Sequence, residues 1–120
     1  MKKLPPYHSL MNPLIQALNE LGGSGSIDEI TDKVAKIELI PEDLLSIPHN
    51  EEKSNQTEFE YRLAWARTYL KKDKLINNSS RGVWALTTKG KDKKTINPQK
   101  IVKFVRDELK NNNKNIRKKL

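Results

Sequence analysis

Arg62, Arg67, Lys71 and Lys72 recur along the stretch 57–72, and Arg81 follows on a short turn. No acidic residue lies between Tyr61 and Lys72. Guanidinium and ammonium groups only donate hydrogen bonds, so an unpaired row of them suits the oxygens of a polyanion. Charge on a helix ordinarily means a solvated face; the missing counter-charges here favour phosphate contact. Tyr61 and Thr68 stand among these cations, placed to meet the edges of bases in a groove, threonine by its hydroxyl or its methyl. Asn55, Gln56 and Thr57 precede the helix, where free amides and the helix dipole attract phosphate. Thr57 has a second role open to it as the helix cap.

Other chemistry finds little support. His8 and His49 are far apart, and neither has ligand or acid–base partners at a useful spacing. No serine or glycine-rich signature points to hydrolysis or nucleotide binding. The chain has no cysteine, which removes disulfides and thiolate chemistry. No catalytic residue, metal site or cofactor is expected.

The charge balance sharpens where the polyanion would sit. The formal net charge is +8. Residues 1–60 carry five Lys/Arg against eleven Asp/Glu, residues 61–90 seven against one, and residues 91–120 eleven against three. The positive charge therefore begins at the helix, with an acidic scaffold before it. The 120 residues suit one domain, and 35% hydrophobic against 32% charged residues implies a modest core with polar extensions. Pro5-Pro6 and a polar run follow Met1-Lys2-Lys3 where a signal peptide would be apolar, and no window reaches a membrane span. A soluble, cytoplasmic protein is the expectation.

The elements that must position these residues follow from pattern. Residues 1–10 read as an extended arm because Pro5 and Pro6 disfavour helix. Asn12-Pro13 then reads as N-cap and first turn of a helix carrying Leu14, Ile15, Leu18 and Leu21, stopped by Gly22-Gly23. Ser24-Gly25 reads as a loop. Ser26 and Glu29 form a capping box for a second helix, buried through Ile27, Ile30, Val34 and Ile37. A helical turn at Glu42–Leu45 and a polar loop over 49–54 lead to the third helix, capped by Thr57 and Glu60. Phe59, Leu63, Ala66 and Leu70 form its core stripe, leaving Arg62 and Arg67 on the flanks. Leu75-Ile76-Asn77 and Val83–Leu86 flank a turn over 78–82, with Gly82 supplying positive φ and Trp84 anchoring the ribbon. Trp65 and Trp84 read as packed residues rather than base-stacking ones. A basic connection over 89–95 precedes a last helix opened by Asn97-Pro98, with Ile101, Val102, Val105 and Leu109 inward. The sum is mainly α with a small β-hairpin (α+β): a winged helix-turn-helix over 11–110, made of a three-helix core, a wing and a C-terminal helix. Residues 111–120 read as a basic, disordered tail.

Three segments also resemble a known family: Asn55-Gln56-Thr57-Glu58-Phe59, Arg62-Leu63-Ala64-Trp65-Ala66-Arg67-Thr68-Tyr69-Leu70-Lys71-Lys72, and Ser80-Arg81-Gly82-Val83-Trp84-Ala85-Leu86-Thr87-Thr88-Lys89-Gly90. They are similar to the N-terminal domain of Mrr-type restriction system proteins, in which Trp-Ala and an Arg-Gly hairpin are a specific pairing. Weaker similarity covers 7–21 and 97–109. The resemblance implies a winged-helix DNA-binding module, coupled to a C-terminal endonuclease domain of the PD-(D/E)xK type that cleaves modified, typically methylated, DNA. It adds Ser80 and Lys89 to a DNA-binding set of Asn55, Gln56, Thr57, Tyr61, Arg62, Arg67, Thr68, Lys71, Lys72 and Arg81. Lys74 departs from the family, which usually has glycine there, and the 120 residues carry no such nuclease domain. Glu108-Leu109-Lys110 matches the Glu-x-Lys fragment of those nucleases, but an amphipathic helix is the wrong place for a metal-holding pair that needs a strand. The partners expected are duplex DNA with modified bases and a nuclease domain. The competing reading is a protein-interaction or homodimerisation module, which predicts an apolar patch around Phe104 and Val105.

Overall fold

A computed structural model describes residues 3–50, 55–93 and 95–119, with side chains through residue 112. Residues 51–54 of the polar loop, Lys94 of the basic connection and most side chains of the basic tail lie outside the described residues. The helices are α1, Met11–Glu20; α2, Ile27–Ile37; α3, Glu42–Leu45; α4, Glu58–Lys72; α5, Thr88–Asp92; and α6, Pro98–Lys119. The strands are β1, Ser24–Ser26; β2, Ile76–Ser80; and β3, Val83–Leu86. They form one antiparallel sheet in the order β1-β3-β2. This is an α+β, winged-helix-like fold.

Both expected capping boxes form. Ser26 accepts from the Glu29 amide while Glu29 accepts from the Ser26 amide, and Thr57 and Glu60 do the same. Phe59, Leu63, Ala66 and Leu70 are buried in one core cluster with Leu14 and Leu18 of α1 and Ile30 and Val34 of α2. Burying each large apolar side chain is worth roughly 1.5–3 kcal/mol. That stripe is what orients α4, and so decides which residues it shows to solvent.

The start of the chain differs from the expectation. Tyr7–Leu10 winds a 3-10 turn that runs straight into α1, with Leu10 fully buried. Leu10, not Asn12, occupies the N-cap position, without a side-chain cap. Asn12 instead sits inside the helix and reaches across the fold. Its carboxamide donates to the Ile96 carbonyl at 3.1 Å and accepts the Ile96 amide at 2.8 Å. An Asn-Pro pair reads locally as a cap, but a tertiary partner here has claimed the side chain.

Ser24–Ser26 is a strand rather than a loop. It pairs with β3 through Ser24↔Ala85, Gly25↔Trp84 and Ser26↔Val83. Nothing in Ser-Gly-Ser favours a strand; the edge of β3 supplies the backbone partners, and Gly25 is buried where a Cβ would press on Leu21. The hairpin also differs. β2 continues to Ser80 with a register break between Asn78 and Ser80, so the turn shrinks to Arg81-Gly82. Gly82 has φ of 77°, as that tight reversal requires.

Lys74, at the end of α4, adopts φ of 62°. The Lys74 amide donates to Lys71 and the Leu75 amide to Leu70, closing α4 with paired terminal hydrogen bonds. Leu39 does the same after α2 at φ of 52°. A side chain in this conformation costs about 1 kcal/mol relative to glycine. Lys74→Gly should therefore raise stability by about 0.5–1 kcal/mol, readable as a higher urea midpoint with unchanged slope.

The connection after β3 is helical: Thr87 caps α5 by accepting the Gly90 amide at 3.1 Å. Asn97 caps α6 as expected, accepting from Gln99 and Lys100. Ile101 and Val105 enter the core. The α6 backbone stays helical through Lys119. Among the described residues, no helix is long and apolar enough to cross a membrane.

Candidate nucleic-acid interface

The core stripe turns Tyr61, Ala64, Trp65, Thr68 and Lys72 of α4 away from the helices behind them. Thr68, Lys71 and Lys72 are exposed, and the Arg81 turn is exposed beside them. The Thr68 hydroxyl donates to the Ala64 carbonyl at 2.9 Å, which leaves its methyl and an oxygen lone pair facing outward. Lys71 holds its ammonium 5.8 Å above the Trp84 ring of β3, so the side of α4 nearest the wing carries both Lys71 and the strand leading from Arg81.

Trp65 was expected under another element but is 43% exposed. Its ring meets the edges of Tyr61 at 6.4 Å and Tyr69 at 6.2 Å. Helical phase alone would have shown this, because Trp65 lies only about 50° from the centre of the outer face at ~100° per residue. An indole half in water between tyrosines can stack on or wedge against a base, which a packed one cannot.

Arg67 is drawn into the fold. Only 8% of it is exposed, and its guanidinium lies 5.6 Å over the Trp84 ring. Burial lowers its pKa, and the nearby Glu60 carboxylate opposes that shift. It remains a cation that braces the wing against α4. Arg62 is likewise engaged. It donates to the carbonyls of Leu4 and Pro5 at 2.9 and 3.0 Å and sits 3.6 Å from Glu58. That carboxylate is one turn back on α4 itself. Lys89 donates to the Asp73 carbonyl at 2.9 Å and pins α5 to the end of α4.

The N-terminus of α4 is occupied. Thr57 is spent on the cap, the Glu58 amide donates to the Ile47 carbonyl at 2.8 Å, and Glu58 and Glu60 place carboxylates in the first turn. Those charges already answer the dipole that would have drawn phosphate. Asn55 is exposed, Gln56 is half-buried, and the His49 amide donates to the Gln56 carbonyl at 3.0 Å. His49 lies on Tyr61, ring centroids 3.6 Å apart, with Nδ1 3.1 Å from Glu58. One face of Tyr61 is thereby covered. Ser80 is exposed at the hairpin end.

The residues anticipated for one surface thus separate. Tyr61, Thr68, Lys71, Lys72, Ser80 and Arg81 remain on the outer side of α4 and the wing; Thr57, Arg62, Arg67 and Lys89 hold elements together. Of the apolar pair anticipated on α6, Phe104 is 44% exposed, while Val105 is 1% exposed and belongs to the core. Glu108 and Lys110 lie exposed on α6. Among the described residues no group of three His, Asp or Glu gathers at metal-binding distance.

No curated protein and no solved structure matches the chain. A family model described as Mrr N-terminal domain matches residues 7–95, from the 3-10 turn to the residues just past α5. That match spans most of the chain and takes in α4 and the whole sheet, while α6 lies beyond it. The chain belongs to the Mrr N-terminal domain family, the N-terminal domains of Mrr-type restriction system proteins.

Proposed function

We propose that this domain binds duplex DNA for a restriction system, with α4 along the major groove and the Arg81 turn over the neighbouring backbone. The observation that carries it is the set of exposed cations Lys71, Lys72 and Arg81 around one face of Tyr61, Trp65 and Thr68, with no carboxylate between Tyr61 and Lys72. The 15-residue α4 is about 22 Å long, enough to follow a groove about 12 Å wide. The cations position the helix on phosphates, and the tyrosine, tryptophan and threonine meet base edges. Modified bases are the target and a nuclease domain is the effector; this chain performs no cleavage itself.

Fluorescence anisotropy with a labelled duplex tests this. Affinity should fall with salt by a logarithmic slope of about −0.9 per phosphate contacted. The triple variant Lys71→Ala/Lys72→Ala/Arg81→Ala should bind at least about ten-fold more weakly, with a slope shallower by about 2–3. Its melting temperature should stay close to wild type, because exposed substitutions cost within about 0.5 kcal/mol each. Unchanged affinity in the triple variant rejects the surface. Parallel titrations with methylated and unmethylated duplexes, with and without magnesium, report modification preference and any cleavage.

A further inference from the structure

On the side of α4 away from the wing, the 3-10 turn and α6 come together. Tyr69 of α4 packs on Tyr7, ring centroids 5.1 Å apart. Arg106 of α6 lies beside both rings and lines the same groove as Tyr7, and its interaction with Tyr69 is the largest cause raising its pKa. A guanidinium carries five donors in a planar fork, so one at the edge of a groove can meet a phosphate with two of them. Beside it an open groove of about 510 Å³ runs between the 3-10 turn and α6, lined by Tyr7, His8, Lys103, Arg106, Asp107 and Lys110. Three cations against one carboxylate leave this groove positive.

The position matters as much as the charge. A major groove is bordered by two phosphate backbones, one from each strand. A helix lying in it needs cations on both flanks to be held centrally. Lys71 and Arg81 supply the flank next to the wing. The opposite flank of α4 carries Tyr69, and through it Arg106 and the groove. Trp65, touching Tyr69 edge-on at 6.2 Å, bridges the outer face and this second edge.

We infer that Lys103, Arg106 and Lys110 of α6 form a second phosphate-binding edge, which grips the DNA strand across the groove from the one met by the wing. This rests on the duplex-binding reading of α4 but adds a site on a helix outside the matched family span. Asp107 within the same groove works against binding.

The full chain is titrated with a labelled 20-base-pair duplex across a salt series. Lys103→Ala/Arg106→Ala is expected to lower affinity about ten-fold at 0.1 M salt and to make the salt slope shallower by about 2. Asp107→Asn should strengthen binding about two- to five-fold. The control Lys36→Ala/Lys91→Ala removes the same charge from α2 and α5 and should change the slope little. If the α6 variant matches wild type, or if the control loses as much, the second edge is rejected. If the α6 variant and the control both match wild type, a loss confined to Lys71→Ala/Lys72→Ala/Arg81→Ala still upholds the wing-side surface. If wild type binds no duplex, both are rejected together.

Discussion

Gly90→Ala is expected to destabilise the domain by about 3 kcal/mol, at the upper end of overpacking effects. Gly90 is buried, and a Cβ built on it lands on the Leu75 carbonyl and stands 3.3 Å from Leu86 Cδ2. The obstacle is backbone and cannot rotate aside. Nor can α5 withdraw freely. The Leu75 carbonyl already accepts the Thr87 amide at 3.0 Å, the Thr87 hydroxyl donates to the Lys74 carbonyl at 2.6 Å, and Lys89 grips Asp73. Moving α5 to admit one methyl group breaks several of these at once. For a domain of this size the melting temperature should drop by about 10 °C or more. Gly82→Ala is the control, since it has φ of 77° and nothing within 4 Å of a new Cβ. It should cost only the conformational strain, about 1 kcal/mol. Equal losses in the two variants would show that crowding at Leu75 is not the cause.

Asn12→Ala should rank next, at about 2 kcal/mol. The side chain satisfies both backbone groups of Ile96, as acceptor at 2.8 Å and donor at 3.1 Å. Its removal leaves two part-buried polar groups without these bonds, each costing roughly 1–3 kcal/mol when fully desolvated. Ile96 precedes α6, so the damage should appear there first. Amide hydrogen exchange should accelerate along α6 while amides of α1 and α4 keep their relative protection. Uniform loss of protection across all three helices would contradict a local stitch. Asn12→Asp should rescue little, because it keeps the acceptor but turns a carboxylate toward the Ile96 carbonyl.

What could be read in advance was whatever local chemistry decides. The Ser26/Glu29 and Thr57/Glu60 boxes are written in four-residue windows, and the α4 core stripe in four apolar positions at helical spacing. Lys74 was legible too, because the departure from glycine could be seen against the family pattern. Distant contacts overturned the rest. Asn12 looked like a cap until Ile96 claimed it, and Ser24–Ser26 looked like a loop until β3 offered it an edge. Arg67 sat on a helix flank in projection, yet Trp84 folded over that flank and enclosed it. Arg106 gave no signal of its own; only the meeting of Tyr7, Tyr69 and α6 makes its position notable.

The Asn12–Ile96 pair also bears on the order in which the chain assembles. Its partners are 84 residues apart, so closing that loop carries an entropic cost that the hairpin and the capping boxes do not face. The pair should form after the rate-limiting barrier rather than before it. A variant lacking it would then fold at nearly the wild-type speed and unfold faster. The stitch thus acts as a latch on the finished molecule, governing its lifetime rather than the route by which it is made.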